Sequence, residues 1–291
     1  MAKDTILLNN GVEMPLVGLG TWALPNDDLA CIIKSAYEIG YRKLDTAEKY
    51  NNEQVIGESL KQLGIPRQSF FITTKLYGRT LYNFGRDYHP YIHIQTKSIK
   101  KAFEESCKRL GTDYIDLYLI HWPYPEYIKF YLEIEQLYRD GRIKAIGVCS
   151  FQPQHIDDLM QKATILPAVN QIEISPYNKQ ERIIDYCRNH NIQVEAFSSF
   201  GGDKKAQLSI LDDNSLKEIA MSHGKTVAQI INRWLVQQRI AVLPRSKSIN
   251  HQKENIEIFD FELSAEEMQK IDSLNKNMFV WGNSEKVIYN K

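Results

Sequence analysis

The sequence predicts an α/β protein, a single (β/α)8 TIM barrel with an N-terminal β-hairpin and an extra C-terminal helix and tail, with residues 1–291 as one domain. Three observations predict it. From Val17 onward, short apolar runs rich in β-branched and aromatic residues alternate with stretches of helical period, the pattern of βα units feeding a parallel sheet. Eight such runs occur, and eight βα units in roughly 250 residues is the usual size of one closed barrel. No low-complexity linker, repeat or break in composition divides the chain.

In chain order, ILLNNGVEMP reads first, as a hairpin around a two-residue Asn10-Gly11 turn, since this dipeptide tolerates the positive φ such a turn needs. It is placed to close the barrel floor. The strand runs are VGL at 17–19, YRKLD at 41–45, FFITTK at 70–75, YIDLYLIH at 114–121, IKAIGVC at 143–149, AVNQIE at 168–173, IQVEAF at 192–197 and IAVLP at 240–244. Between them, helical periodicity covers 27–39, 52–63, 93–110, 126–139, 153–161, 179–189 and 214–238, the last in two pieces. A final barrel helix is expected at 252–257, and 264–274 is expected as an extra helix opened by the Ser264-x-x-Glu267 capping box. An open doubly wound sheet uses the same alternation, so the chemistry has to choose between the two.

Composition narrows the class of partner. Thirty-six basic residues balance 36 acidic ones with no long run of either sign, which points to a small-molecule partner and away from nucleic acid or an anionic membrane. MAKDTILLNN lacks the sections of a signal peptide, and no stretch approaches the ~20 apolar residues of a membrane span, so a cytoplasmic protein is expected; a monomer is the expected oligomeric state. Cys31, Cys107, Cys149 and Cys187 lie far apart, without CxxC or histidine spacing, and are expected as reduced and mostly buried thiols. No metal site is expected, because His121 has no second ligand at suitable spacing.

Catalytic groups of a barrel belong at the carboxyl ends of its strands. Asp45 ends the second strand, Tyr50 follows in its loop, Lys75 ends the third strand and His121 ends the fourth. Singly, each has a bland role as a turn cap, a packing ring or a solvated strand end. Together they bring an acid, a phenol, an amine and an imidazole to one face. A phenol titrates near pH ~10, and a neighbouring ammonium lowers that value. Lys75 is therefore expected to acidify Tyr50, with Asp45 holding Lys75 charged and His121 donating to a carbonyl oxygen. Such a set suits proton delivery to an oxygen gaining negative charge, which is half of a carbonyl reduction.

GLGTW at 18–22, GYRKLDTAEKYNNE at 40–53, ITTKL at 72–76, LYLIHWP at 117–123, AIGV at 145–148, NQIE at 170–173 and FDFELS at 259–264 occur in an order that resembles the aldo-keto reductase superfamily, from about Val12 to about Val280. The resemblance is to bacterial members similar to diketogluconate reductases and aldehyde reductases. It implies a catalytic tetrad of Asp45, Tyr50, Lys75 and His121, with Tyr50 as general acid. It also implies NADPH, with NADH as the alternative, reducing aldehydes or ketones to alcohols. Implied cofactor contacts are Gly20, Thr21, Asp45, Ser150, Gln171, Phe197, Ser198, Phe200, Arg245, Ser246, His251, Glu254 and Asn255, and implied substrate contacts are Trp22, Tyr50, His121 and Trp122.

Some positions depart from the family pattern. Cys149-Ser150 replaces a serine and asparagine that hold the nicotinamide carboxamide, and Ser150 keeps one hydrogen bond of that anchor. Phe197 stands at a stacking position that is normally tyrosine and keeps the π face. Arg245 and Ser246 occupy phosphate-loop positions and favour NADPH, since guanidinium binds phosphate bidentately. His251 replaces a second arginine and leaves that corner neutral. Residues 77–91 are extra and would overhang the pocket as a lid, while the loop after His121 is short. Phe279, Trp281 and Tyr289 either approach the mouth or seal the outside of the barrel.

Gly18, Gly20 and Ala23, with Asp45 about twenty residues later, also match a dinucleotide-binding fingerprint. That motif needs its glycines to open a helix directly, whereas Pro25, Asn26 and Asp27 place the helix start later. Two further alternatives are a noncatalytic nucleotide-binding sensor or partner subunit on the same barrel, and an unrelated barrel enzyme pairing His121 with Asp45 or Glu173 as acid and base.

Overall fold

A computed structural model describes residues 4–77, 98–202 and 210–286. Strands β1 (Thr5–Leu7) and β2 (Glu13–Pro15) pair antiparallel as the expected hairpin. Its turn differs from expectation. Gly11 N donates to Leu8 O across 3.0 Å, Leu8 N donates to Val12 O across 2.9 Å, and Gly11 alone in this loop has a positive φ, +84°. That is a three-residue loop, Asn9–Gly11, rather than a two-residue turn. The reason is docking: the side-chain amides of Asn9 and Asn10 donate to Pro167 O (3.0 Å) and Lys144 O (2.8 Å), fastening the loop beneath the barrel.

The barrel strands are β3 (Leu19–Gly20), β4 (Lys43–Asp45), β5 (Phe71–Leu76), β6 (Ile115–Ile120), β7 (Ile143–Cys149), β8 (Val169–Glu173), β9 (Gln193–Phe197) and β10 (Ala241–Val242). They pair parallel in sequence order from β3 to β10. Val17 bridges Val242, Gly18 N donates to Val242 O (2.9 Å) and Val242 N donates to Leu16 O (2.7 Å), so the two edges meet. An open doubly wound sheet reverses its strand order at a switch point and leaves two edges. The closure at Val17–Val242 and the unbroken order decide for the barrel.

Helices α1 (Leu29–Ile39), α2 (Glu53–Gln62), α3 (Ile99–Leu110), α4 (Tyr127–Arg139), α5 (Pro153–Met160), α6 (Glu181–Asn189), α7 (Asn214–His223), α8 (Val227–Gln237), α9 (Ile249–Ile256) and α10 (Ala265–Asp272) follow the strands. The break between α7 and α8 is Gly224 in the left-handed region, after which Thr226 caps α8 with Gln229. The Ser264–Glu267 capping box opens α10 as expected. Helix α9 starts at Ile249 under an N-cap from Ser248, earlier than the expected 252, because Ile249 is an exposed apolar residue and hides the periodicity. For α3, most of the expected first turns at 93–98 lie outside the described residues, as does the proposed overhang from residue 78 on.

The glycines of the dinucleotide-like fingerprint serve strand contact. A Cβ on Gly20 would stand 2.9 Å from Leu243 O, and one on Gly18 would stand 3.0 Å from the Lys43 side chain. A short 3-10 turn, Asn26–Asp28, follows Pro25, and α1 begins only after it. Gly20 therefore lets β3 approach the chain beyond β10, and Gly18 leaves room for Lys43 inside the barrel.

Candidate active site

Pleating alternates side chains between the barrel interior and the helix layer, so residues two apart on a strand share a direction. Lys43 and Asp45 on β4, Thr73 and Lys75 on β5, and Glu195 and Phe197 on β9 are such pairs. The upper members stand at strand ends, where Asp45, Lys75, Tyr50 and His121 are brought together as expected. Lys75 Nζ donates to Asp45 Oδ1 (2.7 Å), Thr46 O (2.9 Å) and the Tyr50 hydroxyl (3.3 Å), and is wholly buried. The Tyr50 ring stands edge-on to His121, with centroids 5.8 Å apart, and Trp22 packs on Tyr50 at 4.9 Å. The loop carrying Tyr50 is fixed by Asn52, which donates to Thr21 O (3.0 Å) and accepts from Thr46 Oγ1 (2.6 Å).

The electrostatics correct one expectation. Burial pushes the Tyr50 phenol up to about 12, and Lys75 only moderates that rise, with Asp45 and Cys149 acting against it. Tyr50 thus holds its proton throughout the neutral range. Burial also raises the Asp45 carboxyl, opposed by Lys75 and assisted by Glu195. The Lys75 ammonium, which burial alone would weaken, is held above its ordinary value by Asp45 and Tyr50. His121 is driven well below its ordinary value by burial and by the nearby Lys75 and Lys49, so its imidazole is neutral. His121 Nδ1 is buried and has no hydrogen-bond partner among the described residues.

The alternative acid–base pairing of His121 with Asp45 or Glu173 is absent among the described contacts. Asp45 is taken by Lys75 and by Gln171, whose Nε2 donates to Asp45 Oδ2 across 2.8 Å. Glu173 accepts from Val280 N (2.7 Å) and Trp281 N (3.0 Å), clasping the C-terminal segment over the mouth. Trp281 then donates to Ser198 Oγ (2.8 Å) and meets Trp22 edge-on at 6.2 Å. Of the two placements weighed for this segment, the mouth is the one found. Trp122, Ser150, Phe197, Phe279 and Trp281 line one small cavity there. Tyr289 lies outside the described residues.

Gln171 lies at the middle of β8 and Ser150 follows β7, and both side chains approach Cys149 Sγ, which is 4.0 Å from Gln171 Oε1 and 3.8 Å from Ser150 Oγ. Ser150 and Ser198 hold φ of +60° and +56°, a conformation that costs a non-glycine residue. Phe197, Ser198 and Phe200 are half-buried at the end of β9. Thr21 is buried and donates to Asp45 O through Oγ1 (2.8 Å). A second group forms after β10. Arg245 donates to Trp22 O (2.8 Å), and Ser246 Oγ accepts from Ser248 N (3.0 Å) at the start of α9. His251 is exposed and Glu254 half-buried, while Asn255 is buried and accepts from Asn232 Nδ2 (3.3 Å).

Sequence reasoning missed Lys43 and Glu195, an ion pair with both side chains wholly buried in the barrel interior. Glu195 Oε2 also accepts from Gln171 Nε2 across 2.6 Å, linking this pair to the strand-end cluster. The available signal was a charged residue at even spacing below a strand-end residue, in KLD and in EAF.

A closed parallel barrel with a buried ammonium held between a carboxylate and a phenol defines a class of enzyme that moves protons at its strand ends. The family model for the aldo/keto reductase family matches residues 16–276, and the chain belongs to that family. It is 42% identical to the glyoxal reductase of Bacillus subtilis over 289 residues, covering 99% of this chain and 98% of that protein. Among solved structures, MGS-M4, an aldo-keto reductase from a Medee basin deep-sea metagenome library, superposes with a TM-score of 0.86 at 37% identity, over 98% of this chain and all of that one. A mutant of Gox0644 in complex with NADPH gives 0.85 at 32% identity, over 99% of this chain and 100% of that chain. The protein is accordingly an oxidoreductase acting on carbonyl compounds.

Proposed function

We propose that the chain reduces small reactive aldehydes and ketones, α-dicarbonyls such as glyoxal first among them, with NADPH as reductant and Tyr50 as general acid. The observation that carries this is the Lys75 ammonium in contact with both Asp45 Oδ1 (2.7 Å) and the Tyr50 hydroxyl (3.3 Å). Likeness to a glyoxal reductase along nearly the whole chain supports the substrate class. The residues present fit a nicotinamide dinucleotide. His121 Nδ1 is a buried polar atom without a partner among the described residues, Ser150 and Gln171 offer a hydroxyl and a carbonyl oxygen that both lie within 4.0 Å of Cys149 Sγ, and Arg245 and Ser246 precede the amino end of α9. A helix amino terminus beside a guanidinium suits a phosphate, and NADPH rather than NADH follows from it.

Bound NADPH supplies the hydride. Tyr50, still protonated because burial holds its hydroxyl up at about 12, gives its proton to the oxygen as negative charge grows there. Lys75 stabilises the phenolate left behind, and Asp45 keeps Lys75 charged and oriented. Neutral His121 orients the carbonyl oxygen as a hydrogen-bond donor. Trp22, Trp122 and Trp281 border the mouth as apolar walls around a compact substrate. The whole chain acts in this reading as one domain.

The experiment is loss of reduced-nicotinamide absorbance with the purified chain, NADPH or NADH, and a panel of glyoxal, methylglyoxal, simple aldehydes, ketones and keto sugars. Turnover of dicarbonyls with NADPH is the expected result. Tight NADPH binding without any turnover would favour the noncatalytic sensor, and no nucleotide binding would overturn the proposal.

A further inference from the structure

We infer that Glu195 is a positioning residue that locks the Gln171 side-chain amide in one orientation, so that the site accepts a carboxamide and rejects a carboxylate on the nicotinamide ring. The inference rests on the NADPH reading above and adds a residue and a selectivity to it.

An amide NH2 has two protons and an amide oxygen has none. Gln171 Nε2 donates one proton to Asp45 Oδ2 (2.8 Å) and the other to Glu195 Oε2 (2.6 Å). Turning the amide over would point Oε1 at two carboxylates, taking the Gln171 donor away from Asp45 Oδ2 and Glu195 Oε2 and adding repulsion in a buried place. Glu195 cannot give way, because its other oxygen is paired with Lys43 and both side chains are wholly buried. Lys43 is itself fixed, its stem lying against Gly18, where a Cβ would come within 3.0 Å. The orientation of Gln171 is thereby set from beneath, by a cation on β4 and an anion on β9 that are 152 residues apart in sequence.

The consequence lies at the other end of the amide. Oε1 faces Cys149 Sγ at 4.0 Å and can only accept, and the Ser150 hydroxyl lies 3.8 Å from the same sulfur. A carboxamide brings an NH2 for that oxygen and a carbonyl for the Ser150 hydroxyl. A carboxylate brings no donor and adds a charge near Asp45 and Glu195. Ser150 alone, able to rotate its hydroxyl, cannot make this distinction. The fixed Gln171 can.

The test compares affinities for NADP+ and for its nicotinic-acid counterpart, in which a carboxylate replaces the carboxamide, by calorimetry on the full chain. Adenosine 2′,5′-bisphosphate, which lacks the nicotinamide half, serves as the folding control. The wild type is expected to prefer NADP+ by about 100-fold. Glu195→Gln, whose neutral amide can donate to Gln171 Oε1 and so removes one of the two carboxylates that oppose the turned orientation, is expected to shrink that preference about tenfold, with adenosine bisphosphate binding unchanged. An unchanged preference in the variant, or equal weakening of both dinucleotides, overturns the inference while leaving the NADPH reading in place. Failure of the wild type to bind either dinucleotide removes both. Should Glu195→Gln not fold because Lys43 loses its counter-charge, Lys43→Met with Glu195→Gln removes both charges and carries the same comparison.

Discussion

Lys75 Nζ lies 3.3 Å from the Tyr50 hydroxyl, close enough to stabilise a phenolate as it forms. Burial of Tyr50 outweighs the ammonium before reaction and pushes the phenol up to about 12. The lysine's value to the reaction therefore comes when the proton leaves. Tyr50→Phe keeps the ring that packs on Trp22 and removes only the hydroxyl. Turnover is expected to fall by about 10²–10⁴, with NADPH affinity unchanged in a fluorescence titration. Undiminished turnover would remove Tyr50 as the acid.

Lys75→Met separates two roles of the same cation. It leaves Asp45 buried without its counter-charge, which costs about 3–5 kcal/mol when one partner of a buried pair is removed. A second change, Asp45→Asn, should restore a large part of this stability, read as the midpoint of urea unfolding. It should not restore turnover, because the phenolate still has no cation beside it. The residual rate of Lys75→Met is expected to rise as pH falls, since proton supply from solvent then replaces the stabilised tyrosine.

Ser150 holds φ +60° at the end of β7, next to the mouth. Asparagine adopts this conformation more readily than serine, and its amide offers both a donor and an acceptor. Ser150→Asn is expected to raise the Tm by about 1–3 °C and to tighten NADPH binding about 3- to 10-fold. Scanning calorimetry and titration check the two effects separately. A lower Tm would mean that the space beside Cys149 is too small for the longer side chain.

Much of the barrel was legible because helices and strands leave different periods in the sequence, and the four strand-end residues were legible because parallel strands deliver their last side chains to one face. What escaped depends on contacts between distant segments. The hairpin loop took its form from Asn10 reaching Lys144 O, and Lys43 and Glu195 find each other across the barrel interior. Even spacing in KLD and EAF marks Lys43 and Glu195 singly, but no local pattern names either one's partner or that of Asn10. For Tyr50, the sequence named the neighbouring lysine but could not weigh it against burial, which the fold alone sets. The clasp of Glu173 on Val280 and Trp281 joins residues 107 and 108 positions apart, and NQIE alone says nothing of it.

His121 provides a pH test that needs no substrate. Burial first, then Lys75 and Lys49, depress its folded value well below the ordinary 6.5. Between those two values the unfolded chain binds a proton that the folded chain does not. Stability contributed through His121 is therefore fully present above about pH 6.5 and is lost as pH falls through that window toward the folded value. His121→Asn cannot take up the proton, so its stability should decline less steeply than that of the wild type between about pH 6.5 and pH 5. Urea midpoints measured across this range for both proteins give the comparison, and parallel slopes would show that His121 titrates normally. Activity of the wild type should show no loss attributable to imidazole protonation near pH 6.5, because the ring in the folded site remains neutral there.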